Sequence, residues 1–419
     1  MSERDAHKQF DSLMHHFNVD SLADCFHGLD GRKAVGIDGV TKAEYGADLD
    51  ENLRNLVARL KRMAYRPEPV RQVRIPKEGR PGETRPLGIS NLEDKIVQER
   101  MHQILESIYE PVFRDSSYGF RPGRSPHDAV RALVNHLYRY DVQTIIDVDL
   151  KSYFDKIDHS LLAGFLSEKI QDKRLMRYVH RMFKAGVLAE GEVTVSDEGV
   201  PQGSICSPIL ANVFAHHVID TWIEEGVQPH CVGRVALFRY ADDMVICCQY
   251  ERDAIRIRRA LPQRLAKYKL ALNEEKTQMV SFSKHTQKPG GRSPTFSFLG
   301  FTFYWGRSRR GYVIPKVKSD GKRLGRKLQR MNEWARIVRN RYRLPDIWRF
   351  FCAKLRGHVH YFGVSHNQQA VQKFLWGATR ILFKWLNRRS QRKSFTWEQF
   401  AKYIQAHPLP EARTCHRLF

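Results

Sequence analysis

Phe238-Arg239-Tyr240-Ala241-Asp242-Asp243-Met244-Val245-Ile246 sets two adjacent carboxylates between two apolar runs, Val235 to Phe238 and Met244 to Cys248. Both runs are rich in strand-favouring residues, so the stretch predicts a β-hairpin with Asp242 and Asp243 at its turn. Asp is also a common turn residue for conformational reasons alone, and the hairpin by itself leaves a structural and a catalytic reading open. A third carboxylate upstream favours catalysis. In Thr144-Ile145-Ile146-Asp147-Val148-Asp149-Leu150-Lys151-Ser152-Tyr153-Phe154-Asp155 a second strand pattern ends in acids followed by an aromatic pair. Two acidic strand ends can converge on a pair of divalent cations, since Mg²⁺ takes carboxylate oxygens and keeps positions for phosphate oxygens. Such a pair can activate a 3′-hydroxyl and stabilise leaving pyrophosphate in an in-line displacement.

The chemistry of the whole chain agrees. Its 419 residues carry 70 Lys+Arg against 46 Asp+Glu, a formal charge of +24, which favours a polyanionic partner. A hydrophobic content of 42% supports a folded protein. No apolar stretch approaches a membrane span, and the charged start does not read as a signal peptide. The seven cysteines are scattered, with no C-x-x-C pair, which argues against a zinc site or a disulfide framework. A reduced, cytoplasmic protein without membrane attachment is expected, associated with nucleoid or ribonucleoprotein and bacterial in type.

Residues 1–60 read as helical, with Leu53, Leu56, Val57, Leu60 and Met63 at helical spacing, after a turn at Gly36 to Gly39 and a helix cap at Thr41. Arg66 to Lys77 alternates and is punctuated by proline, which suggests an edge strand. Lys77 and Arg85 flank the glycine-rich loop that follows; they are either a triphosphate clamp or two solvated cations. A helix from about Asn91 to Tyr109 precedes Ser117-Tyr118-Gly119-Phe120-Arg121-Pro122-Gly123-Arg124-Ser125, whose arginines Arg121 and Arg124 could hold a nucleic-acid backbone or rigidify a surface loop. A helical segment runs from His159 and ends before Gly191. In Gly199-Val200-Pro201-Gln202-Gly203-Ser204 a loop feeds an apolar helix, with Gln202 placed to touch a nucleotide or template. Phe296 to Phe303 reads as one more strand.

From Arg307 through Arg356 there are 17 Lys+Arg against three acids. Helical spacing returns with Leu324, Leu328, Met331 and Trp334 on one stripe, beside a basic stripe of Arg323, Lys327 and Arg330. That face is a plausible surface for tracking a nucleic-acid backbone. Asn387 to Lys393 adds a second basic patch. His358 and His360 fall on different helix faces and do not suggest a metal site.

In this order the motifs resemble the group II intron-encoded reverse transcriptase/maturase family. The matching segments are Arg85-Pro86-Leu87-Gly88-Ile89, Ser117 to Ser125, Asp149 to Asp158, Pro201-Gln202-Gly203 with Ser207-Pro208, Tyr240 to Asp243, and Phe298-Leu299-Gly300. The likeness covers roughly residues 36–415 and is weakest over 1–35. It implies an α/β right-hand polymerase, with fingers and palm, followed by an all-α thumb/maturase X domain. The divisions expected are 1–60 for the N-terminal extension and start of the fingers, 61–305 for fingers and palm, and 306–419 for the helical thumb/X region.

Residue by residue, the resemblance puts Asp149, Asp242 and Asp243 on the metal ligands, with the Leu150 carbonyl as a further ligand of two Mg²⁺ ions that Mn²⁺ could replace. Phe154 falls on the steric gate against a ribose 2′-hydroxyl, or else is a core aromatic. Lys77, Arg85 and Gln202 fall on dNTP contacts, and Lys276 on a position where a general acid for pyrophosphate has been proposed. Implied partners are an RNA template with a DNA or RNA primer, dNTPs and a group II intron RNA. Many relatives continue into an HNH nuclease with zinc-type cysteines. No such cluster follows Leu409 here, so the chain is not expected to cut target DNA. The function implied is an RNA-directed DNA polymerase that copies RNA into cDNA by two-metal nucleotidyl transfer and binds intron RNA to assist splicing and mobility, with two alternatives: a domesticated polymerase serving DNA repair or phage defence, and an RNA-binding splicing cofactor with a vestigial polymerase.

Overall fold

A computed structural model describes residues 8–76, 82, 84–189, 192–200, 203–286, 294–389 and 394–419. Lys77, Pro201, Gln202 and the segment Ser390 to Lys393 lie outside them. The chain divides into two compact units, each interrupted in sequence: Met1–Ser125 with Val148–Ile246 and Arg252–Gln278, and Pro126–Asp147 with Cys247–Glu251 and Met279–Phe419. The chain is mixed α/β with a helical C-terminal region.

In the first unit, helix Leu49–Lys61 buries Leu53, Leu56, Val57 and Leu60, the stripe its spacing dictates. Met63 falls outside it in the left-handed region, at φ 58°. Thr41 caps helix Lys42–Ala47 through a reciprocal pair with Glu44. Strands β1 (Val70–Pro76) and β2 (Thr84–Ile89) pair antiparallel, and the sheet runs β2-β1-β4-β5 with β4 (Val187–Ala189) and β5 (Glu192–Thr194). β1 is therefore not an edge strand, as its prolines suggested. Only Val70 and Arg71 pair with β4, and Pro76, which has no N–H to donate, lies beyond that short ladder. The helical segment after Asp158 is two helices, His159–Ser167 and Lys173–Lys184, with the Asp172 carboxylate capping the second. Helix Ser207–Ala215 continues into π-helical turns at His216–Asp220 and Trp222–Val227.

β3 (Thr144–Val148), β6 (Val235–Tyr240), β7 (Asp243–Cys248) and β8 (Gln278–Ser281) form a sheet in the order β6-β7-β3-β8. The hairpin expected from the opening stretch is β6 and β7.

In the second unit, the expected single strand at Phe296 to Phe303 is instead two, β9 (Phe296–Phe298) and β10 (Phe301–Arg307), paired antiparallel. Leu299 and Gly300 both take positive φ, 51° and 81°, and fold the tight turn between them. β11 (Val313–Ser319) pairs along β10, so the region after 306 is not all helix. Helices begin at Gly321–Val338 and continue as Leu344–Phe362, Gln368–Leu386 and Trp397–Ala406. Among the described residues no helix is long and apolar enough to cross a membrane.

Candidate active site

Hairpin β6/β7 turns through Ala241, a non-glycine residue at φ 58°. For an L-residue this left-handed conformation costs roughly 1–2 kcal/mol, so its surroundings must hold it. Arg239 does much of this from inside. Along β6 it occupies an inward position with Val235 and Leu237, where a charge needs partners. Its side chain and that of Asp220 are both 0% exposed, with Nε donating to Asp220 Oδ1 at 2.7 Å and Nη2 to Oδ2 at 2.6 Å. Nη1 donates to the Asn212 side chain at 3.1 Å and to the Ala241 carbonyl at 3.0 Å, and Nη2 also reaches Ser117 Oγ at 2.7 Å. Asp220 sits in a π-helical turn, a register that re-aims side chains along a helix and is common at functional sites.

The segment from Ser116 to Gly119 packs against the same turn. Arg239 N–H donates to the Ser116 carbonyl and Tyr118 N–H to the Arg239 carbonyl, both at 2.8 Å. Asn212 Nδ2 donates to the Gly119 carbonyl at 2.7 Å. A β-carbon on Gly119 would stand 2.4 Å from the Ala241 nitrogen, so no larger residue fits that approach.

Asp149 is fixed from another side. Its N–H donates to Thr277 Oγ1 at 3.2 Å, and its carbonyl accepts from Asn273 N–H at 2.8 Å. Leu150 bridges to Leu272, and Lys151 N–H donates to the Ala271 carbonyl at 2.9 Å. This brings the Leu272 to Thr277 motif beside Asp149, and Lys276 Nζ lies 2.7 Å from Asp149 Oδ2. This ammonium is thus ion-paired with a buried oxygen of the Asp149 carboxylate. Burial holds the Asp242 carboxyl above the ordinary carboxylate range. The negative charge of Asp149 adds to this, while the Asp242 N–H, Arg239 and Lys276 oppose it.

Two carboxylates in mutual electrostatic reach, one of them ion-paired with Lys276, are a donor set that suits a hard cation. Among the described residues no three His, Cys, Asp or Glu side chains are grouped closely enough to hold a metal by themselves.

The other expected residues distribute unevenly. Phe154 is half-buried in a short 3₁₀ turn, Tyr153–Lys156, and its carbonyl accepts from Val200 N–H at 2.9 Å. Gly199, at φ 92°, closes on the Asp155 carbonyl. Gly203, at φ 109°, would place a β-carbon 2.4 Å from the Gly88 carbonyl. The described residues on either side of Gln202 are thus held, Val200 against the aromatic pair and Gly203 against β2. Arg85 is exposed on β2, opposite Ile75.

Arg121 needs a correction. Its side chain is only 3% exposed and is engaged by Glu110 and by the Arg114 and Ser117 carbonyls, so it locks its own loop and does not face a nucleic-acid backbone. Arg124 pairs with Asp115 at 2.7 Å and lies over the Tyr118 ring. In the second unit Arg323 and Arg330 are exposed on helix Gly321–Val338, while Lys327 is half-buried with its ammonium 4.3 Å from the Phe362 ring centre. His358 is buried and His360 exposed, on different faces as expected.

Sequence reasoning missed Arg239 as a structural element. Its signal was present: an arginine at an inward position of an otherwise apolar strand.

The chain is similar to known proteins over much of its length. The family model described as "Reverse transcriptase (RNA-dependent DNA polymerase)" matches residues 75–303, more than half of the chain. Protein YkfC of Escherichia coli K12 is 34% identical over 327 residues, covering 69% of this chain and 82% of that protein. The group II intron-encoded protein LtrA of Lactococcus lactis is 36% identical over 193 residues, 46% of this chain and 32% of LtrA. A putative COX1/OXI3 intron 2 protein of Saccharomyces cerevisiae is 32% identical over 237 residues, 56% of this chain and 25% of that protein. The match thus spans about a third of the length of LtrA. The chain belongs to the reverse transcriptase (RNA-dependent DNA polymerase) family, in the group that includes the group II intron-encoded proteins and intron maturases.

Proposed function

We propose that the chain is an RNA-directed DNA polymerase of group II intron type that copies RNA into cDNA from dNTPs and binds intron RNA to assist splicing and mobility. The observation that carries this reading is that Asp149, just past the end of β3, and Asp242, just before the head of β7, stand at the ends of neighbouring strands of one sheet. Residues 61–305 act as fingers and palm, and 306–419 as thumb and X region.

Asp149, Asp242, Asp243 and the Leu150 carbonyl are the groups that would hold two Mg²⁺ ions. When bound, Mg²⁺ supplies activation of the primer 3′-hydroxyl and charge stabilisation on the triphosphate. In the reaction the primer 3′-hydroxyl gives up its proton to solvent as its oxygen bonds to the α-phosphorus of the dNTP, and the bond from that phosphorus to the bridging oxygen breaks. Pyrophosphate departs, with Lys276 as the proton donor. Arg85 and Lys77 bind the triphosphate, Gln202 lies in the nucleotide pocket, and Phe154 excludes a 2′-hydroxyl by sterics. Arg124, Arg323, Lys327 and Arg330 contribute positive charge toward template and intron RNA.

The test is Mg²⁺-dependent extension of a primer on an RNA template, with Asp242→Ala beside the wild type. A wild-type protein that extends nothing would contradict the polymerase reading, and a fully active Asp242→Ala would contradict the site.

A further inference from the structure

Within the second unit, helix Gln368–Leu386 carries Trp376, Arg380, Lys384 and Asn387, the last just past its end, at successive turns of one stripe. Helix Trp397–Ala406 adds Trp397, and helix Gly321–Val338 adds Asn332. Together they line a cleft of about 670 Å³. Its aromatic walls are open to solvent: Trp376 is 59% exposed and Trp397 51%. Phe374, Trp385 and Phe400 on the same helices are buried, so these helices do have a core to offer aromatic rings, and Trp376 and Trp397 stand outside it.

The charged groups are all cationic. The Arg380 guanidinium lies over the Trp376 ring, 4.6 Å from its centre, and Lys384 is exposed one turn further on. Among the described residues neither forms an ion pair, and no acid lines the cleft. Asn332 Oδ1 accepts from Trp385 Nε1 at 2.8 Å, and Asn387 Oδ1 accepts from Phe395 N–H at 2.8 Å, so both carboxamides are oriented by the fold. From Trp376 to Arg389 the chain has four cations and no acid.

We propose that this cleft binds an unpaired base of a single-stranded nucleic acid, stacking it on Trp376 and Trp397 while Arg380 and Lys384 hold the flanking phosphates. Aromatic faces take any base, and cations beside them follow the backbone. A protein partner with an acidic segment would use the same cations but would not need a planar ring. The proposal adds an anchoring site to the polymerase reading and rests on it only for the identity of the strand.

The test is binding of the full-length protein to a fluorescent single-stranded dodecamer, as RNA and as DNA. Each is made intact and with consecutive abasic sites that keep every phosphate. The wild type is expected to prefer the intact strand by about tenfold or more, the size of one or two stacking contacts. Trp376→Ala is expected to lose most of that preference, and Trp376→Phe to keep part of it. Lys384→Ala is expected to weaken intact and abasic strands alike. Equal binding of intact and abasic strands by the wild type overturns the proposal, as does an unchanged preference in Trp376→Ala. A loss of binding in Trp376→Ala that is equal for intact and abasic strands also overturns it, since that is the signature of a general fold defect or a charge effect. Primer extension reads the polymerase separately: a base preference without extension removes that reading and leaves the cleft, and extension without a base preference removes only the cleft.

Discussion

Arg239 and Arg380 are the same residue put to opposite uses. Arg239 is wholly buried behind the Asp242 turn, with its donors directed to Asp220, Asn212, Ser117 and the Ala241 carbonyl. Arg380 stands exposed on Trp376 with no acid partner among the described residues. A buried cation is tolerable only where the fold supplies its counter-charge and acceptors. An exposed cation laid on an aromatic face is arranged for a partner that arrives from solution. The first unit thus uses charge to hold a strained turn in place, and the helical region uses it to meet a ligand. Substitution should separate the two uses cleanly.

The largest effect is expected at the clamp. Arg239→Met should leave Asp220 buried and uncompensated and destabilise the protein by about 3–5 kcal/mol, measured by chemical denaturation. Adding Asp220→Leu should recover a substantial part of the loss, because the unpaired charge is then gone. A double variant no better than the single would show that the clamp matters for something other than charge.

Asp94 offers the contrast of a buried acid that lacks such a cation. Tyr65 Oη and the Glu68 N–H donate to it, yet burial raises its carboxyl from 3.8 to about 7. The folded state then holds the proton more tightly than the unfolded chain. Stability should therefore fall as pH rises between about 4 and 7, by up to about 1.4 kcal/mol per pH unit. Asp94→Asn should flatten that slope in unfolding experiments across this range; an unchanged slope would place the titration elsewhere.

Ala241→Gly should be milder and opposite in sign. It relieves the left-handed strain at φ 58°, for a gain of about 1 kcal/mol at most. If the clamp's main role is to hold this residue, Arg239→Met should be less damaging in the Ala241→Gly background. Smallest of all, Lys384→Ala should change stability by less than about 0.5 kcal/mol. It should still lower the salt dependence of strand binding by about one phosphate contact. A destabilisation comparable to that at Arg239 would erase the distinction between the two regions.

Much of the site was legible in the sequence because it depends on local pattern. Apolar runs either side of Asp242 and Asp243 specify a hairpin and little else, and the Asp149 strand end announces itself in the same way. What was not legible depends on distant partners. Nothing near Arg239 in sequence reveals Asp220, which a π-helical register aims at it, and nothing around Arg121 foretells that Glu110 closes over it. The run Phe296 to Phe303 read as one strand because its aromatics alternate. The turn at Leu299 and Gly300 breaks it in two by backbone conformation, which composition does not display. The Trp376 and Trp397 cleft needs two helices side by side before it exists.

The most direct measurement is primer extension on an RNA template with dNTPs and Mg²⁺, comparing the wild type with a folded Asp242→Ala variant. The expected result is cDNA from the wild type and none above background from the variant, with both proteins unfolding at similar denaturant concentration. Extension by the variant at the wild-type rate would remove Asp242 from the chemistry, and a wild type inert on every primed RNA would contradict the polymerase assignment itself.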